Sequence, residues 1–204
     1  MQQKALAIRK GTRRLIVCAI SLTSVLGAPT LANDDDKPLP RCLAGVCVGE
    51  QAPTEAVLRT RFGGREFDLG YRTRGYCFEL KTQTQTAHLL FSLKDFGDGW
   101  RVVSVRAATR PICARATPLE MPLQLRTGEG VGLGGTVESV HLAYGAATYR
   151  LDPKSRVVVE IMATDTLDVD SAIQYVPADP SLALSAVFVI AADRLVAIEV
   201  SSDI

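Results

Sequence analysis

Along this chain the hydrophobic residues change rhythm three times. A run without charge extends from Leu15 to Gly27, two short stretches repeat their apolar positions every three to four residues, and the remainder alternates apolar with polar. Alternating segments read as β-strands that bury one face. They are Arg65 to Leu69, Tyr76 to Leu80, Ala87 to Leu93 and Arg101 to Ala108, then Thr148 to Leu151, Arg156 to Ala163, Ala172 to Val176, Ser185 to Ala191 and Leu195 to Ser201. Turns at Asp95-Phe-Gly-Asp-Gly99 and Ala192-Asp193 join neighbours as hairpins, so the sheets are expected to be antiparallel. Of the two helical stretches, the first opens at Pro53, turns Val57, Leu58 and Phe62 inward and stops at Gly63. The second takes Thr136 as N-cap, buries Val137, Val140 and Tyr144 and stops at Gly145.

Comparing the chain with itself shows a repeat. Gly45-Val-Cys-Val-Gly49 matches Gly130-Val-Gly-Leu-Gly134, and each precedes a helix that ends in an aromatic residue and glycine, Phe62-Gly63 or Tyr144-Gly145. Further on, Leu90-Phe91 matches Val187-Phe188, and Val103-Ser-Val-Arg-Ala107 matches Val196-Ala-Ile-Glu-Val200. The fold class expected is therefore α+β: two tandem helix-on-antiparallel-sheet repeats packed together, repeat 1 over 42–117 and repeat 2 over 118–204. A flexible segment, 33–41, precedes them.

Residues 1–32 read as a cleaved signal peptide. Five basic residues without an acid lead into the apolar run, which closes on Ala28-Pro-Thr-Leu-Ala32. At 13 residues that run falls short of the roughly 20 needed to cross a bilayer. Removing the five leaves 18 of the 23 basic groups against 22 acidic ones, a net −4, which argues against nucleic acid as a partner. Processing also removes Cys18 and leaves Cys42, Cys47, Cys77 and Cys113, an even set that reads as disulfides in an exported chain. The pairing favoured is Cys42 with Cys47 and Cys77 with Cys113. Periplasmic or secreted location follows, with no stable membrane anchor.

The strand ending in Val-x-Gly, the short helix, the aromatic-Gly stop and the final strand pair resemble the SmpA/BamE-like and β-lactamase-inhibitor-protein-like group of extracytoplasmic domains. The tandem arrangement is most similar to the inhibitor, in which two repeats form a concave sheet that grips a partner. Three departures stand beside the resemblance. No Met-Thr pair follows Gly49 or Gly134, no lipoprotein cysteine is present, and all four mature cysteines fall in the first repeat. The resemblance implies a partner held by the exposed sheet face and the turns at its rim, with Tyr71, Arg72, Arg74 and Trp100 as the contact candidates.

Catalytic readings find little support in the residues. Gly130-x-Gly-x-x-Gly135 fits a dinucleotide pattern, but its glycines recur as a strand-to-helix turn and no βαβ unit surrounds them. His88 starts an apolar strand, His141 lies on a helix, and neither has a nucleophile at a telling spacing. Asp165, Asp168 and Asp170 lack the glycine and terminal glutamate of a calcium loop. Arg59, Arg61, Arg65, Arg72 and Arg74 are interleaved with acids and read as a charged surface, while Tyr71 and Tyr76 flank its last two members. Trp100 is the single tryptophan, a residue type favoured at binding hot spots. No cofactor or metal is expected. The function expected is an exported, non-enzymatic protein-binding module of the cell envelope: an inhibitor, immunity factor or assembly accessory, acting on another envelope or secreted protein. The alternative is a small-ligand or lipid carrier, or a hydrolase of unfamiliar type, built on a cavity between helix and sheet.

Overall fold

Nine of the strands in this protein line up into one continuous sheet. The computed structural model describes residues 37–81, 85–163 and 168–202, which belong to a single unit, Asn33–Ile204. Residues 1–36, which include the segment 1–32 expected as a signal peptide, and Asp165 lie outside the described residues. A two-stranded hairpin comes first, β1 (Cys42–Leu43) and β2 (Val46–Cys47), turning on Ala44-Gly45 and stapled by the Cys42–Cys47 disulfide. Then follow α1 (Glu55–Phe62), β3 (Glu66–Gly70), β4 (Thr73–Lys81), β5 (Thr86–Asp95), β6 (Trp100–Ala108) and the short β7 (Thr117–Pro118). The second half runs α2 (Val137–Tyr144), β8 (Tyr149–Leu151), α3 (Arg156–Met162), β9 (Ser171–Tyr175), β10 (Leu184–Ala191) and β11 (Arg194–Ser202).

Nine strands form the large sheet in the order β3-β4-β5-β6-β11-β10-β9-β8, with β7 beside β4 in parallel. This corrects the expected fold class. Strands dominate, the three α-helices among the described residues are only eight, eight and seven residues long, and the two halves share a ladder instead of meeting as two packed helix-on-sheet units. The seam is the antiparallel pairing of β6 with β11, where Arg106 stands directly opposite Glu199. The Arg106 guanidinium lies 2.9 Å from the Glu199 carboxylate, Ser104 Oγ donates to the same group at 2.7 Å, and both charged side chains are largely buried.

Alternation decides what each face buries. On the first face Tyr76, Phe78, Phe91, Val105, Ile198 and Phe188 point toward α1, α2 and the β1–β2 hairpin. Phe62, Phe78 and Phe91 form a triangle of rings with centroids 5.0 to 5.9 Å apart, and Tyr144, Tyr175 and Phe188 form a second at 5.7 to 5.9 Å. These rings pack between helix and sheet. Each buried side chain of this size contributes roughly 1.5 to 3 kcal/mol. Of the face expected for α1, Leu58 and Phe62 are buried while Val57 points outward. The Thr136 cap is present, its hydroxyl accepting from Ser139 N–H at 3.3 Å.

On the second face α3 covers only part of the sheet, packing Val158, Ile161 and Met162 onto Leu90, Ala108, Val189 and Ala197. Residues 156–163, expected as a strand, are therefore helix. Their inward residues fall at i, i+3 and i+4, and Arg156 pairs with Glu160 one turn on at 2.6 Å. Arg106 also donates to the carbonyl of Glu160 at 2.6 Å, which ties α3 to the seam. Cys77 of β4 is joined to Cys113, a cross-link over 36 residues that limits the unfolded chain by about 4 kcal/mol. No helix among the described residues is long and apolar enough to cross a membrane.

Candidate functional site

All four contact candidates meet at one corner of the sheet. The loop between β3 and β4 has only two residues, Tyr71 and Arg72, with φ of 49° and 58°. Gly70 and Thr73 pair directly beneath them, so this is a type I′ hairpin turn, whose preferred occupants are Asn-Gly. An L residue with a Cβ pays roughly 1 to 2 kcal/mol in the left-handed region, and here two do so in succession. Tyr71 gains no packing in exchange, since its exposure reaches 101%. Arg72 reaches the neighbouring β5–β6 turn, donating to Asp95 Oδ2 at 2.7 Å. That bond, with the Gly97 N–H, holds the Asp95 carboxyl below the usual range. Phe96, exposed on the same turn, carries Lys94 Nζ 5.8 Å from its ring centre.

Arg74 and Trp100 complete the corner from the helix side of the sheet. The Arg74 guanidinium carbon sits 4.1 Å from the Trp100 ring centroid, a cation–π stack. The same guanidinium pairs with Glu66 at 3.3 Å and Glu55 at 3.7 Å. Glu55 in turn accepts from the Tyr76 hydroxyl at 2.5 Å, and burial with that bond pushes the phenol well above its ordinary range. Trp100 is half-buried with one edge on the core, so it is both a core-edge residue and a contact candidate. Tyr76 is buried and leaves the candidate surface. An open cavity of about 520 Å³ is lined by Asp68, Tyr71, Arg72, Arg74, Asp95 and Trp100.

The open stretch of sheet lies on the opposite side. Gly75, Ser92, Ser104, Ser201 and Ser185 stand in register across β4, β5, β6, β11 and β10. Gly75 is required there, because a Cβ would fall 2.5 Å from the Phe67 ring. Trp100 and Arg74 are thus separated from the serine row by the sheet itself, and the rim turn is where the two sides meet. No family model, curated protein or solved structure matches the chain. Function has to be argued from the corner alone.

Elsewhere the candidate residues scatter. His88 is 6% exposed on β5, its Nδ1 without a hydrogen-bond partner among the described residues, and burial lowers its pKa against the opposing pull of Glu79. His141 is half-buried near the C-terminal end of α2. Asp168 pairs with Arg110 at 2.8 Å and Asp170 accepts from Ala192 N–H at 2.6 Å, so the two carboxylates serve separate contacts. At Gly132 and Gly135 a Cβ would fall 2.9 Å from a backbone oxygen, and Gly134 and Gly135 exchange backbone hydrogen bonds with Leu195 of β11 at 2.8 Å, which occupies the glycine motif structurally. Arg61 donates to the Gly45 carbonyl at 2.9 Å. Phe96 and Asp95 were missed as site residues; their turn was legible from Asp-Phe-Gly-Asp-Gly, but its neighbour across the corner was not. Chemically the corner offers rings, guanidinium planes and paired carboxylates, which suits recognition of another surface rather than proton transfer.

Proposed function

We propose that this protein is an exported, non-enzymatic protein-binding module of the cell envelope, an inhibitor, immunity or assembly accessory, that engages its partner through the Tyr71 corner. The observation that carries this reading is the fully exposed Tyr71 on a turn whose backbone favours asparagine and glycine. Strained positions persist where function retains them. Around it stand Phe96, Trp100, Arg72 and Arg74, the residue types enriched at the centre of protein interfaces. Two disulfides suit an oxidising compartment, and periplasmic or secreted location is part of the proposal. The resemblance to the inhibitor-like group enters here as the manner of use it implies, a sheet rim pressed on a partner. The deciding experiment immobilises the 33–204 chain and its Tyr71→Ala variant side by side over envelope extract. A stoichiometric protein retained by the first and lost from the second supports the reading. Equal retention by both, or a small molecule in place of a protein, overturns it.

A further inference from the structure

We infer that β3 is the docking edge for an extended segment of the partner, which joins the sheet as a further strand with basic residues opposite Glu66 and Asp68 and an apolar residue opposite Phe67. This rests on the protein-binding reading and specifies the form of the partner. Among the described residues β3 ends the strand order, pairing through the ladder with β4 alone, while the strand at the other end, β8, has only three residues. It runs straight into the Tyr71 turn, so an added strand would extend the proposed contact surface. Natural sheets blunt such edges with charged side chains, lysine above all, with proline or with irregular pairing. β3 has neither lysine nor proline and its one irregularity is at Leu69, next to the turn; its charges are the acids Glu66 and Asp68, which repel an acidic strand and admit a basic one.

Successive side chains of an added strand would fall on alternate faces. β3 has a groove on each. The first is the 520 Å³ cavity toward Trp100, to which Glu66 and Asp68 contribute. Asp68 has no cation partner among the described residues, its Oδ1 accepting only from the Gly70 N–H at 2.7 Å. The second, about 790 Å³, is lined by Phe67, Cys113, Ala114, Ala116 and Pro118. Arg65 and Arg115 also line it, neither with an acidic partner among the described residues. Opposite charges directly across a ladder stabilise it and like charges oppose it. In the first groove Arg72 pairs with Asp95 and Arg74 with Glu66, which leaves Asp68 as the carboxylate a basic residue would meet. Arg65 and Arg115, beside Glu66, oppose one on the second side. That contrast sets the register, because a one-residue slip exchanges the faces. The same carboxylates disfavour β3 of a second copy, whose acids would meet them.

The probe is an acetylated heptapeptide alternating lysine and valine, offered to the 33–204 chain. Its binding is read by fluorescence anisotropy and by hydrogen–deuterium exchange. The expected result is slowed exchange confined to 65–72, with affinity reduced about tenfold by alternating glutamate and valine, and by Asp68→Asn with Glu66→Gln together. Methylating the peptide backbone nitrogens should abolish binding, since the ladder needs those donors. Absence of binding, protection elsewhere, or an unaffected methylated peptide overturns the inference. If a Tyr71-dependent partner binds while exchange at 65–70 stays unchanged, this inference fails and the protein-binding reading stands. If no such partner is captured, that reading fails, and the peptide result still decides the docking edge.

Discussion

Replacing Tyr71-Arg72 by Asn-Gly should make the protein more stable and less able to bind. Both residues hold positive φ, and relieving each is worth roughly 1 to 2 kcal/mol when asparagine or glycine takes the position. Against this gain stand two losses. Glycine adds about 0.5 to 1 kcal/mol of unfolded-state entropy, and the Arg72–Asp95 pair is lost, a small effect for a solvated pair with Arg72 72% exposed. The net is a stabilisation of about 1 kcal/mol, or a Tm rise of roughly 2 to 4 °C for a chain of this length. Urea titration should show a higher midpoint at an unchanged slope. The β10–β11 turn supplies the control, since Ala192 and Asp193 have φ of 49° and 58° over the Ala191–Arg194 pair. Asn-Gly there should also stabilise, without touching the partner. Stabilisation at 192–193 with loss of stability at 71–72 would refute the reasoning, because Tyr71 and Arg72 would then be holding the fold.

Three further outcomes follow from burial. Phe62→Ala and Tyr144→Ala, at 7% and 4% exposure within their ring triangles, should each cost about 3 to 5 kcal/mol in urea unfolding; near-zero changes at both would contradict the described core. His88 is buried and neutral, with a folded-state pKa below the unfolded value near 6.5, so the unfolded chain takes up the proton first. Its contribution is complete above about pH 6.5 and is lost as pH falls toward the folded-state value, by at most about 1.4 kcal/mol per pH unit, and His88→Leu should flatten that slope. Trp100→Ala should weaken the complex by about 2 kcal/mol and also lower stability by about 1 kcal/mol, because one edge of the ring rests on the core. A stability loss with unchanged affinity would remove Trp100 from the contact surface.

What was legible in the chain tracks the range of the interactions that specify it. Strand and turn positions rest on period two and on short Gly- or Asp-rich connections, and eight of the nine strand segments expected recur within three residues at either end. The ninth, 156–163, misled because three consecutive valines signal strand by composition, while the deciding feature was which residues met the sheet. Both cysteine pairs were legible from parity and loop length. The corner was legible only in part: Tyr71, Arg72 and Arg74 are neighbours in sequence, whereas their contact with Asp95 and Trp100 depends on the Thr73–Lys94 pairing of β4 with β5.

The single sheet was illegible for a related reason. Self-comparison aligned Arg106 with Glu199, and those two residues face one another across the β6–β11 seam. Alignment reports that two segments resemble each other and is silent on whether their edges join. Period two marks which side chains enter a core, but the backbone groups that pair one edge with another carry no residue identity. The seam does carry a side-chain signal. A like pair at that position would set two charges of one sign in a largely buried site, which is strongly unfavourable. An arginine opposite a glutamate allows the join, with Ser104 supplying a further donor to the carboxylate. Once β6 and β11 are committed to each other, β3 and β8 become the outer strands. Of these only β3 has the length to offer a partner several residues of ladder, and it leads directly to Tyr71.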